Sequence, residues 1–340
     1  MPKPKIAFFE TEPWERAVIR SGPLKSEARM FFYAKPLHEI PLKEIAGMDA
    51  VSVFIYSRLD ARILKKLPRL KLVATRSTGY DHIDLKTARR EGIVVANVPS
   101  YGENTVAEHT FALILSLSRN VHKAYMRTSR GDFSLEGLQG FDLKGKVLGV
   151  VGAGHIGLHV IKMAKGFGME VVAFDVRRQT FLSEVLDFRY ASFEELLRVS
   201  DIVTLHTPYS SATRHLINRR TIQQMKRGAL LINTARGALV ETDALVWALD
   251  EGIIAGAALD VLEGEDLIKE ERQLLAADFS KEKLITALKN HILLHRENVV
   301  ITPHVAFNSK EALRRIVDTT VINIRQFFRG TPVNVVNPAH

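Results

Sequence analysis

Six short apolar runs recur between Lys146 and His304: KVLGVVG, EVVAFDV, DIVTLHTP, GALLINTA, IAGAALDV and NVVITPH. The intervals between them are too long for hairpin turns and mostly carry amphipathic, helix-forming sequence. Strands joined through helices pair in parallel, with helices on both faces of the sheet. The N-terminal part keeps the same rhythm, with strand-like KIAFFE, ARMFFYA, AVSVFIY, KLVATRS and GIVVANV. Between these, ARILKKL and HIDLKTARREG read as helices, the second ending on Gly92 at a C′ position. NVPSYGEN then breaks the pattern at Pro99 and Gly102. The stretch TVAEHTFALILSLSRNVHKAYMRTSR after it predicts one long helix, apolar nearly all round at its start and so buried between domains or subunits. A last helix, SKEALRRIVDTTVINIRQFFRG, follows the final strand. The expected fold is α/β, with two doubly wound (Rossmann- or flavodoxin-like) parallel-sheet domains and a cleft between them.

A chain of 340 residues exceeds the usual size of one core, which also predicts two domains. With 46% hydrophobic and 25% charged residues it has the make-up of a soluble globular protein. No apolar run is long enough to cross a membrane, and MPKPKIAFFETEPW meets acids too soon for a signal peptide. A cytoplasmic address and no membrane partner are expected. The absence of cysteine excludes disulfides, thiolate chemistry and any zinc site using sulfur. A net charge of +9 raises the question of nucleic acid, but the basic residues are scattered (KTARRE, INRR, MKRG) and do not interleave with aromatics. No nucleic-acid partner is expected; a basic surface serves to draw in an anionic substrate.

Within KVLGVVGAGHIGLHV, the pattern Gly152-x-Gly154-x-x-Gly157 follows a strand and opens a helix. In that context Gly152 permits the tight turn, Gly154 lets a pyrophosphate approach the backbone, and Gly157 brings helix and strand together. The free N–H groups at the helix start then face the phosphates. The next strand ends in Asp175, where a carboxylate accepts ribose hydroxyls and repels a 2′-phosphate. NAD is therefore expected over NADP, despite Arg177 and Arg178 nearby.

Three later strands each deliver an unusual polar residue at their end: Arg236 in LLINTARGALV, Asp260 in GAALDVLEGE and His304 in VVITPHVAF. Taken singly, Arg236 reads as a helix clamp, Asp260 as a cap and His304 as a core imidazole. Together, beyond the carboxyl ends of strands in an open α/β sheet, they converge on the coenzyme crevice. Two histidine pairs four residues apart, His155 with His159 and His291 with His295, lack an acidic third ligand and read as surface or packing residues, so no metal is expected. His206 reads as packing.

The segments VVGAGHIG, INTARG, ALDVLEGE and ITPHVAF, with TRSTGYDHIDL and NVPSYGENTVAEHTFALIL, resemble the NAD-dependent D-2-hydroxyacid dehydrogenases over nearly the whole chain. The resemblance implies a discontinuous substrate domain at residues 1–100 and 305–340 around an NAD-binding domain at 101–304. It also implies a homodimer built around the long helix. Within the family the likeness is greatest to the D-lactate dehydrogenase branch, on Phe307 after His304, on Tyr101 in VPSYGEN and on the long stretch between Glu265 and His304. Glu263 and Glu265 both follow Asp260, and the family spacing selects Glu265.

Carried over residue by residue, the resemblance implies that His304 protonates the carbonyl oxygen of a 2-oxo acid while the coenzyme delivers hydride. Glu265 would orient the imidazole, Arg236 would grip the substrate carboxylate with its planar fork, and Asp260 would tune the charge balance behind them. Backbone N–H groups of Thr78 and Gly79 would bind the carboxylate, and Tyr56, Tyr101 and Phe307 would wall the methyl side. Coenzyme contacts are implied for His155, Ile156, Thr207, Pro208, Thr234, Ala235, Asp260 and Val106, besides the three glycines and Asp175. Val98-Pro99 and Thr302-Pro303 are the expected hinges. The implied reaction is reduction of pyruvate to D-lactate; hydroxypyruvate, glyoxylate, phenylpyruvate or a branched 2-oxo acid are the nearer alternatives. An NAD-regulated corepressor of the same fold is the remote one.

Overall fold

The structure is a computed structural model that describes residues 2–264 and 281–338. It divides into two compact units, one of Met1–Gly102 with Ser309–His340 and one of Glu103–Asn308. The chain thus leaves and re-enters the first unit after residues 102 and 308, where the sequence suggested 100 and 304.

The first unit is a five-stranded sheet of β1 (Lys5–Phe8), β2 (Arg29–Phe32), β3 (Ala50–Val53), β4 (Leu72–Thr75) and β5 (Val94–Ala96). All pairs are parallel and the order is β2-β1-β3-β4-β5, the flavodoxin-like arrangement. Alternation along β1 sends Ile6 and Phe8 to one face and Ala7 to the other. On the first face they meet Val317, Val321 and Ile324 of the last helix, Lys310–Phe328, which explains why a segment so distant in sequence belongs here. Each apolar side chain fully buried this way contributes about 1.5–3 kcal/mol.

The second unit has seven parallel strands: β6 (Val147–Val151), β7 (Glu170–Phe174), β8 (Arg189–Tyr190), β9 (Ile202–Leu205), β10 (Ala229–Asn233), β11 (Ile254–Leu259) and β12 (Val299–Ile301). Their order, β12-β11-β10-β9-β6-β7-β8, is that of a dinucleotide-binding sheet with one added edge strand. That added edge strand is β12; the six expected strands are present, and the two-residue β8 is one the sequence did not suggest. Connections reverse direction between β6 and β9, so the crevice where such sheets bind ligands lies beyond those two strand ends.

The single helix expected over residues 105–130 is two helices, Glu103–Ser118 and Val121–Thr128. The break is Asn120, in the left-handed region at φ 51°, with its side-chain amide donating to Leu138 O and Gln139 O. Asn tolerates that conformation better than most residues, which lets the chain turn without a glycine. The first helix is buried along Val106, Ala107, Phe111, Leu113 and Ile114. Among the described residues no helix is long and apolar enough to cross a membrane.

Candidate active site

The coenzyme end is built from the glycine loop. Gly152 follows β6 at φ +98°, and a Cβ there would lie 2.8 Å from the carbonyl carbon of His206, just past β9. Gly157 permits a second close approach, since its Cβ would stand 2.0 Å from Gly152 O. Gly154 differs, because a Cβ on it would meet nothing within 4 Å. Gly154 is also the N-cap of the helix His155–Gly166, has no side-chain cap, and is exposed together with His155. Open space in front of uncapped helix N–H groups fits the pyrophosphate of a dinucleotide.

Asp175 lies just beyond β7 and ties the loop down, accepting hydrogen bonds from Ala153 N and Arg177 N, both at 2.8 Å. A carboxylate has about four lone-pair sites, so capacity remains for ribose hydroxyls. Past β9, His206 Nδ1 and Thr207 Oγ1 are buried with no partner among the described residues. His206 Nε2 is bonded to Thr204 Oγ1 at 2.9 Å, and burial pushes the imidazole down to about 3, so it stays neutral.

The other end is built from three neighbouring strands whose ends are level. Asn233 of β10 pairs with Leu259 of β11, which pairs with Ile301 of β12. Arg236, Asp260 and His304 therefore all leave the same edge of one sheet, on strands about 4.8 Å apart. The Asn233 side chain holds the first turn, donating to Arg236 O at 2.9 Å and accepting from Ala235 N at 3.1 Å. Thr234 is buried against Thr110, with hydroxyls 3.0 Å apart. Gly237 lets this turn press on the next one, since a Cβ there would lie 2.1 Å from the Leu262 carbonyl.

Asp260 is 1% exposed, and its carboxylate serves the loop that carries His304. Oδ1 accepts from Thr302 Oγ1 at 2.5 Å and Val305 N at 2.9 Å, and Oδ2 accepts from Ala306 N at 2.9 Å. Burial alone would raise its pKa. The His109 ring 3.5 Å away, with hydrogen bonds from Thr302, Ala306 and Val305, outweighs burial and holds the carboxyl below the usual carboxylate range. His304 sits in the middle of this grip at φ 56°, with its N–H donating to Asp260 O at 2.9 Å. A left-handed non-glycine residue costs about 1–2 kcal/mol, so the surrounding bonds must enforce it. The Phe307 ring stands edge-on to the imidazole, with centroids 6.4 Å apart.

Glu265 lies outside the described residues. The nearby Glu263 is committed elsewhere: Oε1 meets His215 Nε2 at 2.5 Å, and Oε2 accepts from Thr242 N and Oγ1. In the first unit, Tyr56 and the Thr78–Gly79 pair lie in the loops after β3 and β4, and Tyr101 lies in the segment after β5. Among the described residues no cluster of three or more His, Asp or Glu could hold a metal.

Two groups of polar residues that tie these loops together escaped the sequence reading. One is His109 on the helix Glu103–Ser118, a polar residue inside the largely apolar VAEHTFALIL, with Nε2 3.1 Å from Thr302 Oγ1. The other is Arg76 with Glu10. Arg76 is 1% exposed, donates to Phe9 O, Glu10 O and Ser52 Oγ, and pairs with Glu15 at 3.4 Å. Glu10 accepts from Phe54 N, Tyr56 N and Ser57 Oγ, and so holds the Tyr56 loop. A charge inside the apolar run LVATRST was the available signal for Arg76.

Residues 111–306 match the family model for the D-isomer specific 2-hydroxyacid dehydrogenase NAD binding domain. A D-lactate dehydrogenase of Curvularia clavata is 40% identical over 335 residues, 96% of this chain and 93% of that protein. A glyoxylate reductase of Thermococcus litoralis is 35% identical over 310 residues, 89% of this chain and 87% of that protein. Among solved structures, the D-lactate dehydrogenase of Aquifex aeolicus complexed with NAD and lactic acid superposes with a TM-score of 0.88. It is 36% identical and covers 98% of this chain and 100% of that one. Matched over more than half its length by the family's coenzyme-domain model, and over most or nearly all of it by these relatives, the chain belongs to the D-isomer specific 2-hydroxyacid dehydrogenases, with NAD as its coenzyme.

Proposed function

We propose that this chain is a D-lactate dehydrogenase that reduces pyruvate reversibly to D-lactate. The observation that carries the reading is the level arrangement of Arg236, Asp260 and His304 on three adjacent strand ends, on the same edge of the sheet as the glycine loop. NADH, when bound, supplies the hydride. Arg236 then grips the substrate carboxylate, because a guanidinium offers paired donors at carboxylate spacing. His304 donates the proton that the carbonyl oxygen needs, and Glu265 orients its ring. Asp260 acts behind them as a positioning residue, since its carboxylate is taken up by the His304 loop. Phe307, edge-on to the imidazole, supplies part of an apolar wall for the substrate methyl group. Tyr56, Thr78, Gly79 and Tyr101 complete the proposed substrate contacts.

Support for pyruvate comes from the lactate dehydrogenases among the relatives; the glyoxylate reductase keeps glyoxylate as the second reading. The test is kcat/KM for pyruvate, glyoxylate, hydroxypyruvate and phenylpyruvate with NADH and with NADPH. Pyruvate with NADH is expected to lead the panel. A tenfold preference for any other acid would replace the substrate and leave the family chemistry standing.

The reading extends to a cytoplasmic homodimer. Nicotinamide coenzymes are maintained inside cells, and the Val121–Leu135 segment exposes Val121, Tyr125, Met126, Phe133 and Leu135 at 49–84%. Light scattering that gave a monomer at micromolar concentration would refute the dimer.

A further inference from the structure

His109 has no place in the coenzyme loop or on the three strand ends, yet it reaches both partners that hold the His304 turn. Its side chain is 21% exposed, and Nε2 lies 3.1 Å from Thr302 Oγ1 and 3.5 Å from Asp260 Oδ1. The direction of these bonds follows from counting protons. A hydroxyl carries one hydrogen, and an ionised carboxylate can only accept. Thr302 spends its hydrogen on Asp260 at 2.5 Å, so toward His109 it can only accept. The hydrogen between His109 and Thr302 therefore sits on Nε2, which fixes the tautomer of a neutral ring.

The result is a one-way chain from His109 through Thr302 to Asp260. Asp260 in turn holds the N–H groups of Val305 and Ala306, which follow His304 directly. Thr302 lies two residues before His304 and its carbonyl accepts from His304 N at 2.9 Å. The left-handed conformation of His304 is thus bracketed on both sides by groups this chain orders.

We propose that His109 is a positioning residue for the reaction, whose Nε2–H fixes the Thr302 hydroxyl on Asp260 and so fixes the turn that aims the His304 imidazole. The inference rests on the reading of His304 as the proton donor. A space-filling role makes a different prediction: phenylalanine, with a ring of similar size, would then serve at this position at least as well as glutamine. An ordering role requires a donor, which glutamine retains and phenylalanine lacks.

The experiment compares His109→Phe and His109→Gln in the intact protein, using the oxo acid turned over best. His109→Phe should lower kcat about tenfold, the size expected for one lost hydrogen bond between partly buried groups, with NADH affinity held within about twofold. His109→Gln should recover most of that loss. Wild-type turnover in the Phe variant, or equal impairment of the Phe and Gln variants, would overturn the proposal. Should His109→Phe not fold, Thr302→Val and Thr302→Ser probe the same bond from its other end. Val should show the drop and Ser should not; the reverse, or no difference, rejects the relay. On a His304→Ala background, His109→Phe should change the residual rate little, and a further tenfold fall would mean that His109 acts elsewhere. Full turnover in His304→Ala alone would instead sink the proton-donor reading, so the two failures are separable.

Discussion

Two glycines of the coenzyme loop should respond to the same substitution in opposite ways. In Gly157→Ala the new Cβ would start 2.0 Å from Gly152 O, a backbone atom that cannot rotate away. To reach the 3.4 Å of ordinary contact, the helix His155–Gly166 has to retreat by about 1.4 Å from β6. Overpacking of this kind costs about 1–3 kcal/mol, which at 2 kcal/mol lowers Tm by about 4–8 °C for a unit of this size. The retreat also carries the helix N–H groups beyond hydrogen-bonding reach of a phosphate. Losing one charge-assisted bond should weaken NADH binding by about 10–100-fold. In Gly154→Ala the Cβ enters open space, at an N-cap whose extended backbone, φ −79° and ψ −162°, alanine can adopt. Its stability cost is at most about 1 kcal/mol, the difference between glycine and alanine as N-cap, yet the methyl stands where a pyrophosphate has to approach. Scanning calorimetry of the free protein and fluorescence titration with NADH measure both quantities. Gly157→Ala should lose stability and affinity, and Gly154→Ala affinity with little change in Tm. An unchanged NADH Kd in Gly154→Ala, or equal Tm losses in both variants, would refute this account of the loop.

Other expectations follow from single contacts. Arg236→Lys should raise KM for the oxo acid about tenfold or more and also cost kcat, because an ammonium cannot make the paired contact; an unchanged KM counts against the assignment. Arg76→Met leaves Glu15 and the Phe9 and Glu10 carbonyls without their buried partner, so it should destabilise the first unit by about 3–5 kcal/mol; a Tm within 2 °C of wild type, at no less than about 2 °C per kcal/mol, contradicts that. His206 links stability to pH. Its folded value of about 3 lies below its ordinary 6.5, so the unfolded chain takes up a proton that the folded one refuses. That contribution leaves stability whole above pH 6.5 and erodes it on acidification, approaching about 1.4 kcal/mol per pH unit. His206→Gln should flatten denaturation midpoints between pH 6.5 and the carboxylate range, and equal slopes in the two proteins would rule the burial argument out.

What could be read from the chain alone was whatever has a short period or a fixed local geometry. Alternation in KIAFFE and AVSVFIY, and the glycine spacing after KVLGVV, are consequences of backbone geometry within a few residues. The three polar strand ends were legible because parallel strands deliver their next residues to one edge. The helix break at Asn120 was not, since asparagine also occurs inside helices and the turn is supported by carbonyls of Leu138 and Gln139. Nor was the contact of His109 with Thr302, which lies 193 residues away. The choice between Glu263 and Glu265 rested on spacing. The contacts of Glu263 with His215 and Thr242 now give a physical reason why it is occupied elsewhere.

The most direct test is the turnover of His304→Ala measured beside its affinity for NADH. Loss of a general acid predicts a fall in kcat of about 10²–10⁴-fold, with NADH Kd unchanged within about twofold. A variant that turned over the oxo acid at the wild-type rate would show that the imidazole beyond β12 is not the proton donor.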